Sequence, residues 1–148
     1  MVDIKQRILE VLKSGHLMSL GTIDDGGVWV ADVIYIFDDD LNIFWMSAPD
    51  CRHSKAIEKN NLVSGSITIS NKSKEDNFGI QFSGKAERLE GMRFDLVIKH
   101  LSKRGYKIPP KPMDILDGDF WYKLKLDFID LIDEKNFGFD KKKIDLKK

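Results

Sequence analysis

The segment SAPDCRHSKAIEKNN, residues 47–61, gathers the side chains best suited to hold an anion. A strand ends there, Pro49 and Asp50 break it, and a helix over roughly residues 51 to 60 opens with Arg52, His53 and Lys55 in its first two turns. Asp50 is placed to cap that helix by accepting from its free amides. A helix N-terminus presents unpaired N–H groups and a partial positive charge, so it attracts an anion and repels cations. Cations placed there therefore point to a bound anion that offsets them. An arginine narrows the choice to phosphate, because its guanidinium donates two parallel hydrogen bonds. Ser47, at the end of the strand, can offer a hydroxyl to the same oxygens. The competing reading makes Arg52 and Lys55 solvated helix charges and His53 a surface residue.

Other residues offer less. Gln81 and Ser83 share the polar face of a strand, and a side-chain amide can both donate and accept at the edge of a heterocycle. On its own, Gln81 reads better as solvent-facing. Asp32, inside VWVADVIYIF, marks a bulge or a hydrogen-bonded position rather than a base. His16 and His100 have no visible carboxylate or thiol partner, so no catalytic triad is supported, and no catalytic side chain is expected. The single cysteine, Cys51, cannot form an intrachain disulfide, and with three scattered histidines it supplies no metal-ligand spacing. It reads as a small residue in a reducing compartment, and the expected location is the cytoplasm. Trp29, Trp45, Trp121, Tyr35 and Tyr122 read as core or interface.

The elements that position these residues follow from periodicity. Residues 3 to 14 place Ile4, Ile8, Leu9, Val11 and Leu12 at helical spacing, stopped by Gly15. HLMSLGTI and VWVADVIYIF, separated by Asp24, Asp25, Gly26 and Gly27, predict a hairpin, and Asp38 to Asn42 turn into a third strand, NIFWMS, as an antiparallel meander. VSGSITIS alternates, with Val63, Ile67 and Ile69 on one face. FGIQFSGKAERL puts Phe78, Ile80 and Phe82 on one side and Gln81 and Ser83 on the other. Residues 90 to 103 are helical through Phe94, Val97, Ile98 and Leu101. The proline-bearing stretch 105 to 119 is a connector or a lid. FWYKLKLDF alternates Phe120, Tyr122, Leu124, Leu126 and Phe128 against Lys123, Lys125 and Asp127. NFGF and KIDL predict a short β ending, and KKKIDLKK a solvated tail. Antiparallel strands interrupted by two or three short helices make a mainly β (α+β) barrel, read as a single domain over residues 1–148.

Charge excludes some functions. The 148 residues carry 24 Lys and Arg against 24 Asp and Glu, so no overall positive field draws in nucleic acid or an anionic membrane. The N-terminus MVDIKQRILEVLKSG lacks the apolar core of a signal peptide, and no apolar run approaches a membrane span. A small-molecule ligand is the expected partner.

The succession SLGTIDDGGVWVADVIYIFDDDLNIFWMSAPDCRHSKAIEKNNLVSGSITI followed by GIQFSGKAERLEG resembles the pyridoxamine 5′-phosphate oxidase-like FMN-binding split-barrel superfamily. The resemblance covers about residues 16 to 91, and the ending is similar to a small bacterial branch. It implies a split β-barrel that binds FMN between two copies of itself. Strand two, at Asp32, Val33, Ile34, Tyr35 and Ile36, would line the flavin. Met46 and Ser47, with Arg52 and His53, would hold its phosphate and ribityl chain, and Gln81 would approach from the next strand or the second subunit. His53 stands where close relatives carry a lysine, and is neutral for much of the time near pH 7. The basic, histidine-containing substrate motif of the oxidase is missing between Trp121 and Lys148, which argues against oxidation of pyridoxamine phosphate. The expected function is an FMN-dependent oxidoreductase, its flavin reduced by a nicotinamide or similar donor and reoxidised by a small acceptor. The alternative is a non-catalytic module of the same fold that holds flavin, haem or another cofactor.

Overall fold

Asp3 starts the first helix: its carboxylate accepts from the amides of Lys5 and Gln6, and α1 runs over Ile4–Ser14 as the amphipathic spacing predicts. The computed structural model describes residues 1–147. Then come β1 (Leu17–Asp24), β2 (Gly27–Ile34), β3 (Ile36–Phe37), β4 (Ile43–Ser47), α2 (Arg52–Lys59), β5 (Leu62–Thr68) and β6 (Phe78–Arg88). The chain finishes with α3 (Phe94–Lys103), β7 (Phe120–Asp133), α4 (Glu134–Phe137) and β8 (Lys142–Asp145). Every pairing is antiparallel, in the order β2-β1-β5-β6-β7-β4-β3, with β8 added on β7. The two ends of that path, β2 and β3, are consecutive in the chain. The sheet therefore curls until one segment, residues 27 to 37, serves both of its ends.

This arrangement corrects the expected meander. Residues 28 to 37 break at Tyr35: the part before it pairs with β1, the part after it with β4, and β4 continues onto β7 rather than onto β2. Tyr35 explains the break. Its side chain is fully buried and its hydroxyl donates to the carbonyl of Leu12, 2.7 Å away. Its carbonyl accepts from Lys103 Nζ at 2.5 Å, and the same ammonium sits 3.5 Å from the Tyr35 ring centroid. A carbonyl outside the ladder is thus satisfied from α3, as buried backbone requires.

Two apolar clusters result. Ile8, Val11 and Leu12 of α1 join Met18, Leu20, Trp45, Ile67, Ile80 and Leu131 inside the curl, and Tyr122 stacks on Trp45 at 5.7 Å. Outside it, α3 lays Leu96 and Val97 over Ile36, Phe44 and Trp121. His100 is buried in this layer, edge-on to Trp121.

A bulge sets the phase of β7. Ser83 faces Phe128 but Gly84 faces Leu126, so Asp127 is left without an opposite residue. Alternation slips by one there: Leu124 and Leu126 are buried, then Ile129 and Leu131, while Phe128, expected in phase with Leu126, is only half-buried. A second correction concerns the end of the chain. NFGF forms α4 and a turn rather than a strand, capped by the Asp133 carboxylate. KIDL does extend as part of β8, so the lysine-rich end is partly tied to the sheet. Asp133, buried, also accepts from Arg7 Nε at 2.7 Å and anchors α1 to β7.

The Lys103 clamp has a pH signature. Burial pushes its ammonium down to about 8 from an ordinary 10.5. The unfolded chain thus binds more protons than the folded one between those values, and this group's contribution to stability rises as pH increases through that window. Burial holds Tyr35 well above its ordinary value of 10.0, so the folded chain keeps that proton while the unfolded chain begins to lose it at the top of the window, an opposing contribution that the native chain and Lys103→Met share. Urea midpoints measured at both ends of the window should rise more with pH for the native chain than for Lys103→Met. Equal changes would contradict the clamp.

Candidate functional site

The helix expected after Pro49 forms as α2, but Asp50 does not cap it. Cys51 occupies the N-cap position with no side-chain bond to the helix amides, and its thiol donates instead to the carbonyl of Ala48 at 3.0 Å. The first-turn amides stay free of side-chain caps, and the first turn contains no acid. That is the arrangement an external anion would complete.

Arg52 projects from this end toward the β1–β2 turn. Its Nε donates to Asp24 Oδ2 at 2.8 Å and one terminal nitrogen donates to Oδ1 at 3.0 Å, while the guanidinium carbon lies 4.4 Å over the Trp29 ring. The fork thus grips a two-oxygen anion, the Asp24 carboxylate, in the bidentate manner guanidinium groups favour. The hydrogen bond from Arg52 holds the Asp24 carboxyl below its ordinary value, so the pair is ionised at neutral pH. Arg52 borders a cavity of about 830 Å³ together with Lys55 and Lys59 on one side and Asp24, Asp25 and Asp50 on the other. Its charges cancel as they stand, with Arg52 engaged on Asp24.

His53 points elsewhere. Its Nε2 shares a hydrogen bond of 2.8 Å with Ser47 Oγ and lies 3.4 Å from the Cys51 sulfur. Burial pushes this imidazole below its ordinary value, so it is neutral near pH 7. Ser47 and His53 are thus brought together, and Arg52 and Lys55 border one cavity, although Arg52 and His53 are neighbours in the first turn of α2. Met46, half-buried on β4, packs instead against the outer cluster under α3, on the face of the strand away from Ser47.

The remaining predicted residues divide. On β2 and β3, Val33, Tyr35 and Ile36 are buried, Ile34 is half-buried, and exposed Asp32 accepts from Ser19 Oγ at 2.7 Å. This stretch offers a flat ligand its backbone, Asp32 and Ile34, but not the side chains of Tyr35 or Ile36. Gln81 is exposed on β6 and accepts from Lys141 Nζ at 3.2 Å, away from the Arg52 cavity. Sequence reasoning missed Asp24 and Trp29 as the partners of Arg52. DDGG signalled only a turn, and nothing local shows that it folds onto a helix 28 residues later. Among the described residues no cluster of His, Cys, Asp or Glu could hold a metal ion, and no helix is long and apolar enough to cross a membrane.

Comparison with known proteins fits this geometry. No family model matches the chain. It is 30% identical over 134 residues to the UPF0306 protein YhbP of Escherichia fergusonii, covering 90% of this chain and 86% of that protein. The chain belongs to the UPF0306 family. A crystal structure of a Listeria innocua protein described as a candidate pyridoxamine 5′-phosphate oxidase superimposes with a TM-score of 0.67 at 14% identity, covering 88% of this chain and 98% of that one. A heme-binding protein of Mycobacterium smegmatis superimposes with a TM-score of 0.74 at 16% identity, covering 98% of this chain and 59% of that one. This UPF0306 chain therefore has the pyridoxamine 5′-phosphate oxidase-like split-barrel fold, as its sequence resemblance implies.

Proposed function

We propose that this UPF0306 chain is a cytoplasmic flavoprotein that binds FMN in a homodimer and acts as an oxidoreductase on small molecules, with residues 1–148 working as one domain. The observation that carries the reading is the Arg52 fork at the uncapped start of α2, held on a carboxylate at the mouth of an 830 Å³ cavity. Arg52 and Lys55 would take the phosphate, Ser47 and the neutral His53 would donate to or accept from the ribityl hydroxyls, and the backbone from Asp32 to Ile36 would run along the ring. Gln81, remote from Arg52 in its own chain, would serve the partner's flavin. When bound, FMN supplies hydride and electron transfer, and the protein supplies orientation and exclusion of water.

The same fold holds heme in the M. smegmatis protein. Here His53 is engaged with Ser47 and His100 is packed under Trp121, leaving exposed His16 as the one histidine free to ligate iron. Flavin is the better match to these side chains.

The homodimer rests on β2. Val28, Trp29 and Val30 are 75%, 43% and 60% exposed although consecutive strand residues point to opposite faces, so in one copy this stretch is largely bare on both sides apart from the Arg52 guanidinium over Trp29. Ile23, Leu17 and Leu62 extend the apolar surface. Light scattering at micromolar concentration should give twice the chain mass, and a monomer would count against the shared site.

The reaction is tested by anaerobic mixing of FMN-loaded protein with NADH or NADPH. Bleaching of the flavin bands is expected, with no oxidation of pyridoxamine phosphate. If neither donor bleaches the flavin, the reductase reading fails and the cofactor-holding module stands.

A further inference from the structure

Apart from the Arg52 cavity, β6 and β7 carry, with α1 and the C-terminal segment, a groove of about 760 Å³ lined by five lysines, Lys5, Lys85, Lys123, Lys125 and Lys147. They converge from α1, β6, β7 and the C-terminal segment. Lys85 lies directly opposite Lys125 in the ladder, a like-charge cross-strand pair that costs stability when nothing sits between. In a chain whose charges balance, such crowding needs a reason. Ion pairs elsewhere engage Arg7, Arg52, Arg88, Arg93 and Lys142; among the described residues none of the five groove lysines has a carboxylate partner within 4.0 Å. Asp40 and Asp127 also line the groove, which leaves an excess of three positive charges. Its floor is apolar: Leu41 and Leu126 are 2% and 3% exposed, and Ile144 and Leu146 are half-buried.

From this we infer that the lysine groove is a second binding site, for an organic di- or triphosphate. Lysines act as point charges that suit phosphate groups without demanding bidentate geometry. A single carboxylate would leave most of the excess charge unanswered, whereas a chain of phosphates spans several ammonium groups at once. The apolar floor receives the organic body, and the volume lies within the range of about 300 to 1,000 Å³ usual for small-ligand sites. The inference is independent of the flavin reading, because none of these residues borders the Arg52 cavity.

Calorimetric titration of the whole chain with adenosine triphosphate and with inorganic tripolyphosphate tests it. Adenosine triphosphate should bind more tightly than tripolyphosphate, and both should weaken as salt is raised. The double variant Lys85→Gln, Lys125→Gln should lose roughly tenfold or more in affinity for both while folding at least as stably, since a like-charge pair is removed. Arg52→Ala should bind both as the native chain does. Absence of binding, or binding lost through Arg52→Ala and kept in the lysine double variant, would overturn the site. Equal affinity for the two probes would overturn the role of the apolar floor.

Discussion

Arg52→Ala is expected to weaken FMN binding by roughly ten- to a hundredfold, the loss of a charge-assisted contact to phosphate of about 1.5 to 3 kcal/mol. Riboflavin, which lacks the phosphate, should bind both proteins equally. Lys55→Ala should matter less, because Lys55 lies a turn further along α2 and away from the helix start. Asp24 adds a second arm. Its carboxylate occupies the guanidinium that the phosphate needs, so Asp24→Asn should tighten FMN binding and leave riboflavin alone. Fluorescence titrations of the two flavins against the three variants decide this. Equal losses for FMN and riboflavin in Arg52→Ala would remove Arg52 from the phosphate.

Gly84→Ala is expected to destabilise the fold by about 3 kcal/mol, the upper part of the range for overpacking. A Cβ at this position would lie 2.2 Å from the Lys125 carbonyl oxygen and 3.0 Å from the Leu126 Cα, backbone atoms that cannot turn aside as a flexible side chain can. Relief requires the bulge to shift, and a one-residue slip would exchange the inward and outward residues of β7. Gly21→Ala is the control, since its Cβ would meet the Ser64 hydroxyl at 3.2 Å and should cost far less. Urea denaturation of both variants gives the comparison. A Gly84→Ala midpoint equal to that of Gly21→Ala would mean that the bulge does not need glycine.

These two cases show where the sequence speaks and where it falls silent. Strand alternation in VSGSITIS and FGIQFSGKAERL, the amphipathic spacing of α1 and the break at Pro49 are local signals, and each element formed where those signals lie. The split of residues 28 to 37 at Tyr35 is not local: it depends on Leu12 and Lys103, 23 and 68 residues away. The slip at Gly84 is equally hidden, because a glycine inside a strand marks either a bulge or a close approach, and only the partner strand decides. At the site, the helix-start cations were legible because they oppose a dipole. Their partner Asp24 was not, since a turn aspartate has a sufficient local reason to be where it is.

The central claim is that this UPF0306 chain holds FMN, and the cofactor that copurifies with it tests that claim most directly. Freshly purified native protein should show the two visible absorption bands of a flavin, and denaturation should release a compound with the mass of FMN. Apoprotein should regain those bands stoichiometrically on addition of FMN, and more weakly with riboflavin. A haem spectrum, or a colourless protein that takes up no FMN, would contradict the account.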